Sequence, residues 1–328
     1  MIATSLSHAQ GTVDVEPLAA GRSKVTVHAK PGVYVSRASI ETTYPTELVA
    51  EILAVKGPGY VCDEIARHED PGYVRKLLEH DVGCYFADAA FVGARVLDFG
   101  CGCGASTMIL GDLYPAAEIV GVELLAEHLR VAEARKRLLR RDRVRFVQSP
   151  SGAEVGVAEG AFDFVVMSAV YEHLLPDERR AVMGALWRAL RPGGCLFLNQ
   201  TPHRLFPIET HTTGLPLLNY LPDAWAHRAA CRLSPRIERD ESWETLLRKG
   251  IRGATDRELL DVLGADAHPL EPSERGCRDR LDLWYTGLGP RHAFVKRALR
   301  DAFKVVRRAT GVALVPSLAV AFEKSATA

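Results

Sequence analysis

The pattern of apolar and polar positions changes its period near Ala94. Before that point Lys24-Val-Thr-Val-His-Ala-Lys30 alternates weakly and meets Pro31-Gly32, which predicts a short hairpin. Helical spacing follows over 45–55 and 73–80, with Gly57-Pro58-Gly59 as a break between them. After Ala94 short apolar runs alternate with helical patterns. Arg95-Val-Leu-Asp98 reads as a strand leading into Gly100-Cys-Gly-Cys-Gly104, and a helix over 105–114 stops at Pro115. A strand Glu118–Glu123 and a helix over about 126–140 come next, then strands Val144–Gln148 and Phe162–Ser168. Pro176 opens a helix carried by Val182, Leu186 and Leu190 and closed by Arg191-Pro-Gly-Gly194, and a fifth strand covers 195–200. Further on, Thr255-Asp-Arg-Glu258 reads as a capping box for a helix ending at Gly264, with strands expected over Ala267–Leu270 and 314–323.

Strands alternating with helices of this length require a parallel sheet covered on both sides. The expected fold is therefore α/β: a doubly wound, mostly parallel Rossmann-like sheet with helices on both faces and a helical lid. Residues 1–85 read as an N-terminal segment of hairpin and helices serving as a substrate lid. Residues 86–328 read as the nucleotide-binding domain, with insertions near 202–250 and 271–311. Such insertions at strand carboxyl ends usually build pockets or lids.

Composition narrows the function. The chain has 328 residues with 41 Lys+Arg against 41 Asp+Glu, and this neutral balance argues against a generic nucleic-acid partner. With 47% hydrophobic residues but no unbroken apolar run of transmembrane length, a spanning helix is not expected. Seven cysteines without a C-x-x-C pair, and no secretory pattern at the N-terminus, point to a reduced, cytoplasmic protein. The oligomeric state is open, a homodimer included.

The chemistry centres on the glycine loop. Gly100, Gly102 and Gly104 allow a sharp turn after the first strand and clear space for a ligand. Glu123, at the end of the second strand, is placed to accept hydrogen bonds from both hydroxyls of a ribose. Gly100-x-Gly102-x-x-Ala105 also fits the dinucleotide pattern, but Asp98 before it would repel a pyrophosphate and suits an ammonium group. None of the nine tyrosines is followed four residues later by lysine, so the Tyr/Lys pair of short-chain reductases is absent.

On these residues the chain resembles the class I S-adenosylmethionine-dependent methyltransferases. The resemblance rests on Val-Leu-Asp-Phe-Gly-Cys-Gly-Cys-Gly (96–104), Glu123, Phe-Asp-Phe-Val-Val-Met-Ser-Ala-Val-Tyr-Glu-His-Leu (162–174) and Leu-Arg-Pro-Gly-Gly-Cys-Leu-Phe-Leu (190–198), and covers roughly 94–200. It implies S-adenosyl-L-methionine as cofactor. Asp98, Gly100, Gly102 and Gly104 would hold its methionine part, Glu123 the ribose, and Leu124 the adenine face, with Ser168 beside the sulfonium. One departure stands out: where the family often has an acidic residue after the third strand, this chain has Gln148-Ser-Pro-Ser151, so Ser149 or the backbone would meet the adenine.

The acceptor side is read from the histidines. A hydroxyl acceptor needs a general base and a carboxylate does not. Histidine titrates near neutral pH, so His173, His203 and His211 are the base candidates for O-methylation of a small molecule. The run Thr-Pro-His-Arg-Leu-Phe-Pro-Ile-Glu-Thr-His-Thr-Thr-Gly-Leu-Pro (201–216) places His203, Arg204, Glu209 and His211 in one loop. His203, Glu209 and His211 could be a base with its orienting carboxylate or part of a metal site, but no metal ligand set is assigned. Tyr171, Arg204 and Glu209 are the substrate-binding candidates. Carboxyl or carbon methylation without a base is the alternative, followed by an RNA or protein substrate and then by a non-enzymatic scaffold. The basic run 135–145 reads as a solvated helix face, and the helix over 294–308 as a lid helix.

Overall fold

The structure, a computed structural model, describes residues 3–152, 154–287 and 293–326. Residues 288–292 of the 271–311 insertion thus lie outside the described residues. In chain order the strands β1 (Thr4–His8), β2 (Gly11–Pro17), β3 (Ser23–Ala29) and β4 (Ser39–Thr42) precede the helices α1 (Thr46–Glu69) and α2 (Lys76–Gly83). Then come β5 (Arg95–Phe99), α3 (Ala105–Leu113), β6 (Glu118–Glu123), α4 (Ala126–Leu139), β7 (Val144–Gln148), β8 (Phe162–Ser168), α5 (Pro176–Ala189) and β9 (Leu190–Pro202). The chain ends with α6 (Asp223–Leu233), α7 (Trp243–Arg248), α8 (Asp256–Leu263), β10 (Ala267–Leu270), α9 (Arg280–Gly287), α10 (Ala293–Thr310) and β11 (Ser317–Lys324). Strands β5–β11 make a mostly parallel seven-stranded sheet, so the fold is the expected doubly wound, Rossmann-like α/β class.

The chain divides into two compact units. The first joins Met1–Glu79 to Cys101–Ser149. Its N-terminal part is more than a hairpin: β1–β4 form a four-stranded antiparallel sheet in sequence order. Val13, Val15 and Val25 on alternate positions face one side and pack with Leu48, Ile52, Val61 and Ile65 of α1 and with Val131 and Ala134 of α4. Gly57-Pro58-Gly59 does not end the helical run. Only Gly57 departs, at φ 66°, and Pro58 restarts the helix, a position where its missing N–H costs nothing. Gly59 is needed because a Cβ there would lie 2.4 Å from the Tyr34 carbonyl oxygen. In the same unit β6 and β7 pair in parallel from Ile119↔Val144 to Glu123↔Gln148.

The basic run also differs from expectation. Arg135 is fully buried, donating to Glu64 Oε1 at 2.7 Å, to the Cys103 carbonyl at 2.6 Å and to Tyr44 Oη at 3.1 Å. One position of an apparently solvated helix face is therefore a core ion pair.

The second unit joins His80–Gly100 to Pro150–Ala328. Here β5 pairs with β8 and β8 with β9 in parallel, while β11 runs antiparallel to β9 and β10 antiparallel to β11. Pro316 delays β11 to Ser317, as expected of a residue that cannot donate to a ladder. Phe303 of α10 packs with Leu281, Trp284, Ala313 and Val315, while Phe294 at the start of the helix is exposed. No helix among the described residues is long and apolar enough to cross a membrane.

Candidate active site

In the first unit the turn after β5 is completed by Gly102 (φ 54°) and Gly104 (φ 83°). These glycines do different things. Gly104 caps α3, and a Cβ there would meet Ala132 Cβ at 2.8 Å and Phe146 Cζ at 2.9 Å, so close packing excludes a side chain. At Gly102 nothing lies within 4 Å of where a Cβ would be, so its bare backbone faces open space. That is a surface against which a ligand can lie.

Glu123 closes the same loop. Its Oε2 accepts the Gly102 N–H at 2.9 Å, and its Oε1 accepts the N–H groups of Leu124 at 2.9 Å and Leu125 at 3.1 Å. Burial would raise this carboxyl, but the His128 imidazole and the backbone donors Leu125 and Gly102 outweigh it and hold it below the usual glutamate range. The group is a fixed carboxylate at a strand end with lone pairs to spare for hydroxyl donors. Leu124 beside it is half-exposed and offers an apolar face. Ser149 is buried, and its N–H donates to the Glu123 carbonyl at 2.9 Å, while Gln148 Nε2 donates to the Leu124 carbonyl at 3.2 Å. An open glycine backbone, a fixed carboxylate and an apolar face fit the ribose and base of a nucleoside.

In the second unit Asp98 is buried near the end of β5, in register with Val166 of β8. Gly100 has φ 72°, and a Cβ on it would lie 2.6 Å from Val170. Ser168, the last residue of β8, accepts from Gln200 Nε2 at 2.9 Å. Ala169 (φ 54°) and Gln200 (φ 64°) both take left-handed conformations, which are costly for residues with a Cβ and are often retained at functional sites. Sequence gave no signal for this strained pair.

The acceptor-side candidates separate into two groups. Three are structural in their contacts. Tyr171 is fully buried, donates to Glu258 Oε1 at 3.0 Å and lies under the Arg179 guanidinium, 4.6 Å from the ring centre. His203 is 2% exposed, with Nδ1 3.2 Å from the Val315 carbonyl, and burial pushes its imidazole below the ordinary histidine range. Glu209 is buried and ties its own loop, accepting from the N–H groups of His211 at 2.8 Å, Thr212 at 2.9 Å and Thr213 at 2.5 Å. Glu209 thus does not orient a base, and the grouping of His203, Glu209 and His211 is not assembled.

The second group does converge. His173 directs Nδ1 to the Arg248 carbonyl at 2.8 Å and keeps 44% of its side chain exposed. Its Nε2 lies 3.8 Å from Glu172 Oε1, and its ring centre is 5.7 Å from that of the exposed His211. Glu172 is the residue that sequence reasoning passed over, although it is the chain neighbour of His173. Its side chain is fully buried and its Oε2 accepts from Thr201 Oγ1 at 2.9 Å. Arg204 lines a separate cavity of about 490 Å³ with Arg180, Tyr220, Arg257, Glu258 and Asp261.

Residues 96–194 match the family described as a methyltransferase domain. Over 198 residues the chain is 31% identical to trans-aconitate 2-methyltransferase of Azoarcus sp. (strain BH72), covering 54% of this chain and 74% of that protein. It is 34% identical over 108 residues to the mitochondrial ubiquinone biosynthesis O-methyltransferase of Mus musculus, covering 32% of this chain and 28% of the relative. Among solved structures, the glycopeptide N-methyltransferase MtfA complexed with S-adenosyl-L-homocysteine is 28% identical, with a TM-score of 0.30 over 34% of this chain and 44% of that one.

Proposed function

Because the chain belongs to the class I S-adenosylmethionine-dependent methyltransferases, with S-adenosyl-L-methionine as cofactor, we propose that it methylates an oxygen of a small anionic molecule, with His173 as general base. The observation that carries this reading is the presentation of His173. A carbonyl can only accept, so the Arg248 contact puts the proton on Nδ1 and leaves the Nε2 lone pair free on a half-exposed ring. The bound cofactor supplies an electrophilic methyl group on a sulfonium. By the family resemblance, Glu123, Leu124 and Ser149 would hold its nucleoside, and Asp98, Gly100, Gly102, Gly104 and Ser168 would meet its methionine end. His173 takes the acceptor's proton at Nε2, and the buried Glu172 carboxylate 3.8 Å away stabilises the imidazolium that forms. His211 orients the acceptor beside His173. Selection of the acceptor falls to parts outside the family match: residues 1–85 as a lid and the insertions near 202–250 and 271–311.

A second reading, carboxyl methylation without a base, is favoured by the cavity with Arg180, Arg204 and Arg257, since guanidinium groups suit carboxylates. The relative from Azoarcus, named for trans-aconitate, points the same way. Incubation with methyl-labelled cofactor and a panel of hydroxylated and polycarboxylic acids separates the two. An ether product keeps its label in alkali and an ester releases methanol. In the first reading His173→Ala lowers kcat by about a hundredfold or more with the cofactor dissociation constant unchanged. Alkali-labile label together with full activity of His173→Ala would establish the second.

A further inference from the structure

We infer that Glu172, His173 and His211 form a binding site for one divalent transition-metal ion, with Zn²⁺ the best match to two imidazoles and a carboxylate. One donor atom from each residue lies within 4.8 Å of the other two. The strongest indication is Glu172. Its side chain is fully buried, Thr201 satisfies Oε2, and Oε1 has no hydrogen-bond partner. A buried carboxylate oxygen without a donor carries an uncompensated desolvation cost, and a cation at that point removes it.

His173 is prepared as a ligand. Histidines that bind metals through one ring nitrogen usually donate the other N–H to a carbonyl or carboxylate, which fixes tautomer and ring plane. The Arg248 carbonyl, 2.8 Å from Nδ1, fills that role and directs Nε2 toward Glu172. His211 approaches from the 201–216 loop, whose backbone is held by Glu209. Gly250, with φ +88°, gives both residues room: a Cβ there would lie 2.8 Å from His211 Cδ2 and 3.1 Å from Glu172 Cγ. Metal bonds of about 2 Å need the donors closer than they stand, and rotation of the exposed His211 side chain supplies the movement.

Three protein ligands leave a fourth position open. An acceptor oxygen bound there would lose its proton to solvent more readily, and because His173 Nε2 is then a metal ligand, the loaded form does without the imidazole base. The site goes beyond the histidine-base reading and its binding test does not need turnover.

The test uses the full-length chain stripped of metal, titrated with Zn²⁺ alone by calorimetry and with Co²⁺ by visible absorption. One ion per chain is expected, with Co²⁺ ligand-field bands showing nitrogen and oxygen donors. His211→Ala and His173→Ala should each weaken binding at least about tenfold, the loss typical of even an outer partner. His268→Ala, an exposed histidine on β10, should leave it unchanged. His211 is exposed, so its variant is expected to keep the thermal midpoint of the metal-free protein, and it decides the matter even where Glu172→Gln fails to fold. Absence of saturable binding, or affinity equal in His211→Ala and the unsubstituted chain, overturns the site. Saturable binding lost on His211→Ala, with no methyl transfer to any acid in the panel, leaves the metal site standing and the acceptor reading refuted.

Discussion

Burial opposes charge at two residues of this molecule, and the outcomes differ. At Glu123 the His128 imidazole and the backbone N–H groups of Leu125 and Gly102 outweigh burial and keep the carboxylate ionised, so the loop is already organised around a fixed negative charge. Glu123→Ala should leave the fold intact and raise the dissociation constant for S-adenosylhomocysteine at least about tenfold, the equivalent of one charged hydrogen bond, as measured by calorimetry. His68 is the converse. Burial, then the charges of Arg135, Arg75 and Arg141, push its pKa down to about 3, and its Nδ1 lies 2.7 Å from the Tyr44 hydroxyl, which itself accepts from Arg135. The unfolded chain binds this proton near pH 6.5 and the native state only near pH 3, so the unfolded state holds more protons in between. Stability is therefore complete above pH 6.5 and is lost as pH falls toward 3. His68→Gln should flatten that loss, read as urea midpoints at pH 7, 5.5 and 4; parallel pH curves for the two proteins would show that His68 is not responsible.

At the scale of elements the glycine loop gives the sharpest prediction. Gly104 combines a φ of +83° with a hypothetical Cβ 2.8 Å from Ala132 and 2.9 Å from Phe146, so Gly104→Ala strains the backbone and drives α3 away from α4 and β7. A loss of about 1–3 kcal/mol is expected from the backbone alone, visible in chemical denaturation. Gly102→Ala, with open space around it, should cost less stability and more cofactor affinity. Most of this part of the fold was legible. β6, β7, β8 and β10 lie where their apolar runs place them, because each run is bounded by turn residues and too short for a helix. The N-terminal sheet was not. In β2 and β3 the alternation carries few large apolar side chains, and β1 has only Leu6 to mark its inner face. The proposed acid-base site was half legible. His173 and His211 lie in distinctive strings, but their meeting depends on the Arg248 carbonyl and the bare Cα of Gly250, neither of which side-chain identity reveals. The capping box at Thr255 misled in a small way. Thr255 does accept from the Glu258 N–H, yet the Glu258 carboxylate is taken by Tyr171 and Arg179.

For the molecule as a whole, the question is what residues 1–79 contribute. As a detachable lid they could be removed with the fold intact and only acceptor choice altered. The packing of the first unit argues for more. Val131 and Ala134 of α4 and Cys103 of the glycine loop share one apolar cluster with β2, β3 and α1, so deletion would bare that face of the cofactor half. Arg135 has its charge partner in Glu64 and donates a further hydrogen bond to the Glu64 carbonyl at 2.8 Å. Removing the Glu64 charge alone leaves the guanidinium buried without its ion-pair partner, at about 3–5 kcal/mol against a total stability of about 5–15 kcal/mol for a typical domain, and deletion of the whole segment also strips the apolar cluster. Deletion of residues 1–79 should therefore abolish cooperative thermal unfolding. Glu64→Gln, which keeps the volume but removes the charge, should lower the midpoint while leaving a folded protein. Because Arg135 also donates to the Cys103 carbonyl, Glu64→Gln should weaken cofactor binding through a loosened glycine loop, a change that calorimetry with S-adenosylhomocysteine would register. A truncated chain that melts cooperatively and binds S-adenosylhomocysteine at full affinity would instead make the N-terminal segment an accessory to acceptor selection alone.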